Sequence, residues 1–269
     1  MLAFAGSDPS GGAGLQADLL TLAALGCHPL SVVTAITVQD TSGVVGVQPV
    51  AADWVARQAR TLLADMAVSA FKLGMVATRE SAVAIAAVID EHPAIPVVLD
   101  PVLASGRGDP LGTSDVAAAL VEHLVPRATI ATPNSLEARG LAAGPGERTD
   151  ALPLERCAER LTVRGAKFVL VTGTHEPTRE VVNALYDARG LVRSDRWERL
   201  PGEYHGSGCT LAAAIAAGLA HGIALPEAVQ AAQRFTWQAL AEAFRPGAGQ
   251  AIPDRLFQLR AAAAASADE

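Results

Sequence analysis

The chain has 269 residues, half of them hydrophobic but only 4% aromatic, and a formal net charge of −7. That length suits one large domain or two small ones, burying roughly three quarters of the unfolded surface. The acidic balance excludes a general nucleic-acid surface, which is basic, but not a local cradle for a small anion.

Short β-rich apolar runs alternate with longer helical ones. Residues 2–5 read as a strand and 15–25 as a helix. The β-branched stretch 31–38 is a strong strand signal, and 44–50 a shorter strand with Gly43 and Gly46 marking turns or a bulge. A helix over 51–66, a strand over 70–73, a helix over 79–91 and a buried-type strand over 96–99 follow. Then come a helix over 114–125, a strand over 129–131 and a short helix over 134–141, with Asn134 placed to cap it. Beyond a polar connection at 143–150 lie a helix over 153–164 and a strand over 167–171. Residues 181–187 and 191–195, split by Ala-Arg-Gly, have the form of an antiparallel hairpin. The last helices are 210–221 and 226–244, and the Ala-rich tail 261–267 lacks an obvious partner and is expected to fray.

Apolar strands alternating with helices imply an α/β fold, a mostly parallel central sheet covered on both faces. No repeat or linker divides the chain, so a single domain over 1–269 is expected. The cysteines Cys27, Cys157 and Cys209 are far apart with no CxxC pair. This argues against structural zinc and for a reducing cytosol. Residues 2–5 are too short and uncharged for a secretory signal, and the apolar run 211–219 is too short to cross a bilayer. A cytoplasmic protein without membrane or nucleic-acid partners is expected.

Chemistry concentrates in His205-Gly206-Ser207-Gly208-Cys209-Thr210, directly before an Ala-rich helical run. A helix start exposes unpaired N–H groups and the positive end of its dipole, and glycines let a phosphate approach that backbone. Cys209 at this helix start favours a thiolate, whereas facing phosphates oppose one, so its protonation stays open. A second cluster is Gly6-Ser-Asp-Pro-Ser-Gly-Gly-Ala-Gly14. It is not a Walker A loop, because no Gly-Lys-Ser/Thr follows. Gly12-Ala-Gly-Leu-Gln-Ala17 fits a loose dinucleotide pattern, but its glycines lie too far from the strand end. A loop folding over a small substrate, with Asp18 one turn into the helix and facing the pocket, is preferred. Polar residues follow successive strands (Asp8, Gln39, Gly74, Asp100 and Thr132-Pro-Asn134), where ligands bind in such sheets.

These blocks, with Thr34-Ala-Ile-Thr-Val-Gln39, Lys72-Leu-Gly-Met75 and Leu99-Asp-Pro-Val102, occur in order along the whole chain. Together they resemble the hydroxymethylpyrimidine/phosphomethylpyrimidine kinase family of thiamine biosynthesis, within the ribokinase-like superfamily of three-layer sandwiches. Pyridoxal kinases of the same superfamily share part of the pattern. The resemblance implies ATP- and Mg²⁺-dependent phosphorylation of 4-amino-5-hydroxymethyl-2-methylpyrimidine and of its monophosphate. Gln39 would bind the aminopyrimidine edge, since a carboxamide pairs a donor with an acceptor. Gly6, Asp18, Met75 and Val102 would complete the substrate site. Cys209 would stand at the catalytic base position, with Gly206, Ser207 and Gly208 as the phosphate cradle. Asn134, Thr172 and Thr210 would serve the nucleotide, and Asp100 and Glu137 the magnesium. One departure is Val171-Thr172-Gly173-Thr174-His175, where many relatives carry Lys at the position of Thr172; Arg107 is a possible substitute cation. His175 beside Glu176 forms a second acid/base candidate pair. Rival readings are a pyridoxal/pyridoxine kinase, a pyrimidine-binding protein without turnover, and a dinucleotide-binding oxidoreductase. A homodimer through the exposed edge of the 181–195 hairpin is expected.

Overall fold

Alternate side chains of the first strand, β1 (Leu2–Ser7), enter two different cores, Leu2 and Phe4 into one and Ala3 and Ala5 into the other. That alternation belongs to a strand buried on both faces. The computed structural model describes residues 1–105, 108–109, 111–144 and 146–267. Arg107, and part of the Gly-rich segment around it, lie outside the described residues.

Eight further strands join β1: β2 (Leu30–Gln39), β3 (Val44–Pro49), β4 (Phe71–Leu73), β5 (Val97–Leu99), β6 (Ile130–Ala131), β7 (Phe168–Val171), β8 (Glu180–Asp187) and β9 (Gly190–Glu198). They form one sheet in the order β3-β2-β1-β4-β5-β6-β7-β8-β9. The six strands from β2 to β7 in that order run parallel, while β3, β8 and β9 are antiparallel additions at the two edges. The β2–β3 register shifts between Val38 and Gln39, next to the Gly43 turn.

Helices cover both faces. On one side lie α2 (Ala52–Asp65), α3 (Arg79–Asp90), α4 (Val116–Ala119, running into a π turn over Leu120–Leu124), α5 (Ser135–Ala142) and α6 (Leu154–Val163). Their Val55, Ile85, Leu120, Leu141 and Leu161 are buried against Leu2, Phe4 and Phe71. On the other side α1 (Gly14–Ala24), α7 (Ser207–Ala220) and α8 (Leu225–Ala241) bury Leu15, Leu22, Ile215, Val229 and Phe235. The tail forms α9 (Phe257–Ala267), anchored by Phe257 against Phe235 with ring centroids 5.5 Å apart. An aromatic contact at its start thus supplies the partner that the Ala-rich sequence does not show. No helix among the described residues is long and apolar enough to cross a membrane.

Strand order proceeds from β1 outward in two directions, to β2 on one side and β4 on the other. Such a switch point opens a crevice beyond the carboxyl ends of the strands. Both glycine clusters and the polar strand-end residues converge there.

Candidate active site

A cleft of about 730 Å³ opens at this switch point. One wall is the start of α7. That helix begins inside the glycine motif, at Ser207, three residues before the expected Thr210, because Gly206 takes the left-handed conformation (φ 82°) and serves as its N-cap. A side chain at Gly206 would strike the Gly12 carbonyl and Arg255, so only glycine lets the two loops meet. Ser207, Gly208 and Cys209 thus form the first turn of α7 and line the cleft with free N–H groups. Thr210 turns away from it: the side chain is buried, bonded to Gly206 O (2.8 Å) and accepting from Arg255 Nε (2.9 Å). Arg255 Nη2 also donates to Gly12 O (2.6 Å), so one buried guanidinium ties both glycine loops together. Sequence patterns gave no signal for Arg255, which sits 45 residues beyond the motif it supports.

Beneath that turn lies a buried charge cluster. Lys72 Nζ, from β4, lies 2.8 Å from Asp18 Oδ1 and 3.5 Å from Asp100 Oδ2, with no exposed surface on Lys72 or Asp18. Asp18 therefore does not face the pocket; the α1 register turns it inward against Lys72. Burial pushes the Asp18 carboxyl up to about 6 against the pull of Lys72, and Asp100 adds to the rise. Burial disfavours the Lys72 cation, but Asp18, Cys209 and Asp100 outweigh this and hold it well above the usual lysine range. Cys209 is pushed up to about 12 by burial, with Asp100 and Asp18 adding and Lys72 opposing. The resting thiol is neutral at pH 7, and the helix start does not overcome its desolvation.

At the far end of the cleft, Gly6, Gln39, Met75, Val102 and Val44 share one wall. A Cβ at Gly6 would come within 2.8 Å of Met75 Sδ, so any side chain there displaces Met75. Behind Gln39 lies a polar relay that the sequence did not reveal. Asp8 Oδ2 accepts from Ala13 N (2.7 Å) and faces His205 Nε2 at 2.8 Å. Burial would raise the Asp8 carboxyl, but hydrogen bonds from His205, Ser10 and Ala13 outweigh that and hold it below its ordinary value. A carboxylate only accepts, so His205 Nε2 carries the proton between them. The Gln39 amide nitrogen lies 3.0 Å from the same Nε2.

Asn134 and Glu137 close the opposite wall as a reciprocal cap on α5. Asn134 Oδ1 accepts from Leu136 N and Glu137 N, and Glu137 Oε2 accepts from Asn134 N at 2.9 Å. Desolvation and the nearby Asp100 push the Glu137 carboxyl up to about 8. Asp100 Oδ2 is buried, and its nearest partner is Lys72 Nζ at 3.5 Å. Thr172 and His175 also line the cleft. Glu176, the neighbour of His175, is instead bound to Arg139 through both oxygens (2.7 and 3.1 Å) and so does not pair with His175 as an acid or base.

The sequence profile described as phosphomethylpyrimidine kinase matches residues 8–254. A hydroxymethylpyrimidine/phosphomethylpyrimidine kinase of Rhizobium meliloti is 44% identical over 249 residues, 93% of each chain. Among solved structures, pyridoxal kinase from Staphylococcus aureus in complex with ADP superposes with a TM-score of 0.84 at 30% identity, covering 94% of this chain and 92% of that one. Phosphomethylpyrimidine kinase from Clostridium difficile 630 gives 0.75 at 34% identity, covering 89% and 98%. With the glycine-bounded cleft and the match along nearly its whole length, the chain belongs to the phosphomethylpyrimidine kinase family.

Proposed function

We infer that this protein phosphorylates 4-amino-5-hydroxymethyl-2-methylpyrimidine, and then its monophosphate, from ATP. The observation that carries the reading is the meeting of three parts in one cleft: a flat apolar wall with a polar edge at Gln39, the open N-terminal turn of α7, and the carboxylates Asp100 and Glu137. In the first transfer the hydroxymethyl oxygen, and in the second a phosphate oxygen of the monophosphate, attacks the γ-phosphorus; each time the bond to the β-phosphate oxygen breaks and ADP leaves, and the hydroxyl proton of the first step is released to solvent. The N–H groups of Ser207, Gly208 and Cys209, at the start of α7, would stabilise the negative charge that gathers on the transferred group. Phosphoryl transfer gains most from positioning and charge stabilisation. A neutral Cys209 thiol is therefore compatible with turnover as a group that orients the hydroxymethyl oxygen.

Asp100 and Glu137 suit a hard divalent cation. Asp100 presents a buried carboxylate whose Oδ2 has Lys72 Nζ 3.5 Å away, and the Glu137 carboxyl is raised by desolvation and by the charge of Asp100. Two carboxylates completed by water and phosphate oxygens are an ordinary Mg²⁺ set. Bound there, the ion would neutralise charge on the phosphates.

Gln39 has a narrower role than the sequence implied. Because His205 Nε2 carries a proton, the stable arrangement turns the Gln39 amide oxygen toward it and leaves the NH₂ for the cleft. That group donates to a pyrimidine ring nitrogen, but also to the phenolic oxygen of pyridoxal. Discrimination between the two therefore rests on the apolar wall of Met75, Val102 and Val44.

The remaining parts of the reading are a cytoplasmic location and a homodimer. The edge strand β9, with exposed Leu191 and Val192, offers a surface for a second copy. A monomeric mass by light scattering would remove the dimer.

ADP release with Mg-ATP, measured on hydroxymethylpyrimidine, its monophosphate and pyridoxal, tests the reading. Turnover of both pyrimidines supports it. Turnover of pyridoxal alone refutes it, and binding without ADP leaves a pyrimidine-binding protein.

A further inference from the structure

Two of the three tryptophans, Trp197 on β9 and Trp237 on α8, meet at one end of the cleft, with ring centroids 6.5 Å apart and planes inclined by 30°. Both rings are pinned, Trp197 Nε1 donating to Gln233 Oε1 (2.9 Å) and Trp237 Nε1 to the Glu198 carbonyl (3.1 Å). Val181, paired with Trp197 across the hairpin, and Leu240, one turn beyond Trp237, extend the apolar surface. This end adjoins Thr172: the amide of Gly173 donates to Asn183 Oδ1, and Asn183 Nδ2 donates to Gln233 Oε1.

Three polar side chains beside the indoles, Asn183, Gln233 and Thr236, bond within the protein. Gln233 Oε1 accepts from both Asn183 and Trp197, and its Nε2 donates to Asp195. The Thr236 hydroxyl donates to the Ala232 carbonyl. Reading a nucleobase by its edge requires free donors and acceptors in a matching pattern, and those of Asn183, Gln233 and Thr236, beside the indoles, are already engaged within the protein. Two held indoles and aliphatic neighbours instead suit the π-face that every base possesses.

We propose that the nucleobase of the phosphoryl donor stacks on the Trp197–Trp237 wall and is held by its faces, so that this kinase accepts purine triphosphates with little regard to the base edge. This rests on the phosphotransferase reading above. It also gives the donor a binding contribution independent of charge at the phosphate end, where Thr172 is neutral.

The test compares ATP with GTP in ADP or GDP release, alongside Trp237→Ala and Trp237→Phe. The expected result is kcat/KM for the two donors within about thirtyfold, the scale left by one or two hydrogen bonds. Trp237→Ala should raise KM for ATP and GTP alike by at least about fivefold, the loss of a stacked base. It should leave KM for the pyrimidine unchanged, and Trp237→Phe should recover most of the donor affinity. Should Trp237→Ala fail to fold, a Trp54→Phe background decides the matter, because only the two cleft indoles then fluoresce. A non-hydrolysable ATP analogue should quench them saturably. A preference for ATP beyond thirtyfold, an unchanged donor KM in folded Trp237→Ala, or no quenching overturns the proposal. An enzyme inactive toward every pyrimidine but quenched by the analogue would instead refute the phosphotransferase reading and leave the stacking wall standing.

Discussion

His205 illustrates how one proton sets the roles of two neighbours. Its Nε2–H faces a carboxylate held in the ionised form, and Gln39 must adapt to that hydrogen. Replacing Gln39 by Leu removes a single donor to the ring, which is worth about 0.5–1.5 kcal/mol. KM for the pyrimidine is expected to rise about two- to tenfold with the melting temperature unchanged, checked by steady-state kinetics and calorimetry. Asp8 gives a pH signature. Its native pKa lies below the ordinary 3.8, so between the two values the unfolded chain binds more protons. Its stabilisation is complete above the unfolded value and is lost as pH falls through the native one. Thermal unfolding from about pH 2 to 6 should show a steeper acid limb in the parent than in Asp8→Asn. The glycines, Cys209 and Gln39 were legible in the sequence as candidate site residues, and His205 only as the first residue of their motif. Their protonation and hydrogen-bond direction were not, because these depend on groups that approach only in the fold.

Among the elements, β4 and the start of α7 show the same division. The apolar run around Lys72 identifies a short buried strand, yet a lysine inside it gives no hint of its partners. In the fold that lysine lies between Asp18 and Asp100, beneath the first turn of α7. Lys72→Met leaves buried carboxylates without their cation, at a cost of about 3–5 kcal/mol. Urea unfolding should detect that loss, and adding Asp18→Leu should recover part of it. The start of α7 was displaced by three residues relative to expectation, because the left-handed Gly206 and the Arg255 bridge decide where the helix begins. The α5 boundary, by contrast, was legible: the Asn134-x-x-Glu137 spacing encodes its own reciprocal cap.

At the scale of the whole molecule, the parallel sheet gathers loops distant in sequence into one cleft at the β1/β4 switch point. The proposed metal-binding carboxylates come from different elements, Asp100 from the end of β5 and Glu137 from the first turn of α5. Removing divalent cations with EDTA should abolish ADP release, and added Mg²⁺ should restore it. Glu137→Gln should raise the Mg²⁺ concentration needed for half-maximal rate. A rate unaffected by chelation would remove both residues from the metal site.

The sequence by itself determined the alternation of strands and helices, the loops at strand ends and the family. Each of these is written in local periodicity or in short motifs, and backbone preference and hydrophobic burial act on them directly. Only the tertiary structure decided which side chains meet: Lys72 with Asp18 across 54 residues, Gln39 with His205 across 166, and Arg255 with Gly12 across 243. No local pattern carries such pairings, because they arise when the strand order of the sheet brings remote loops to the same edge.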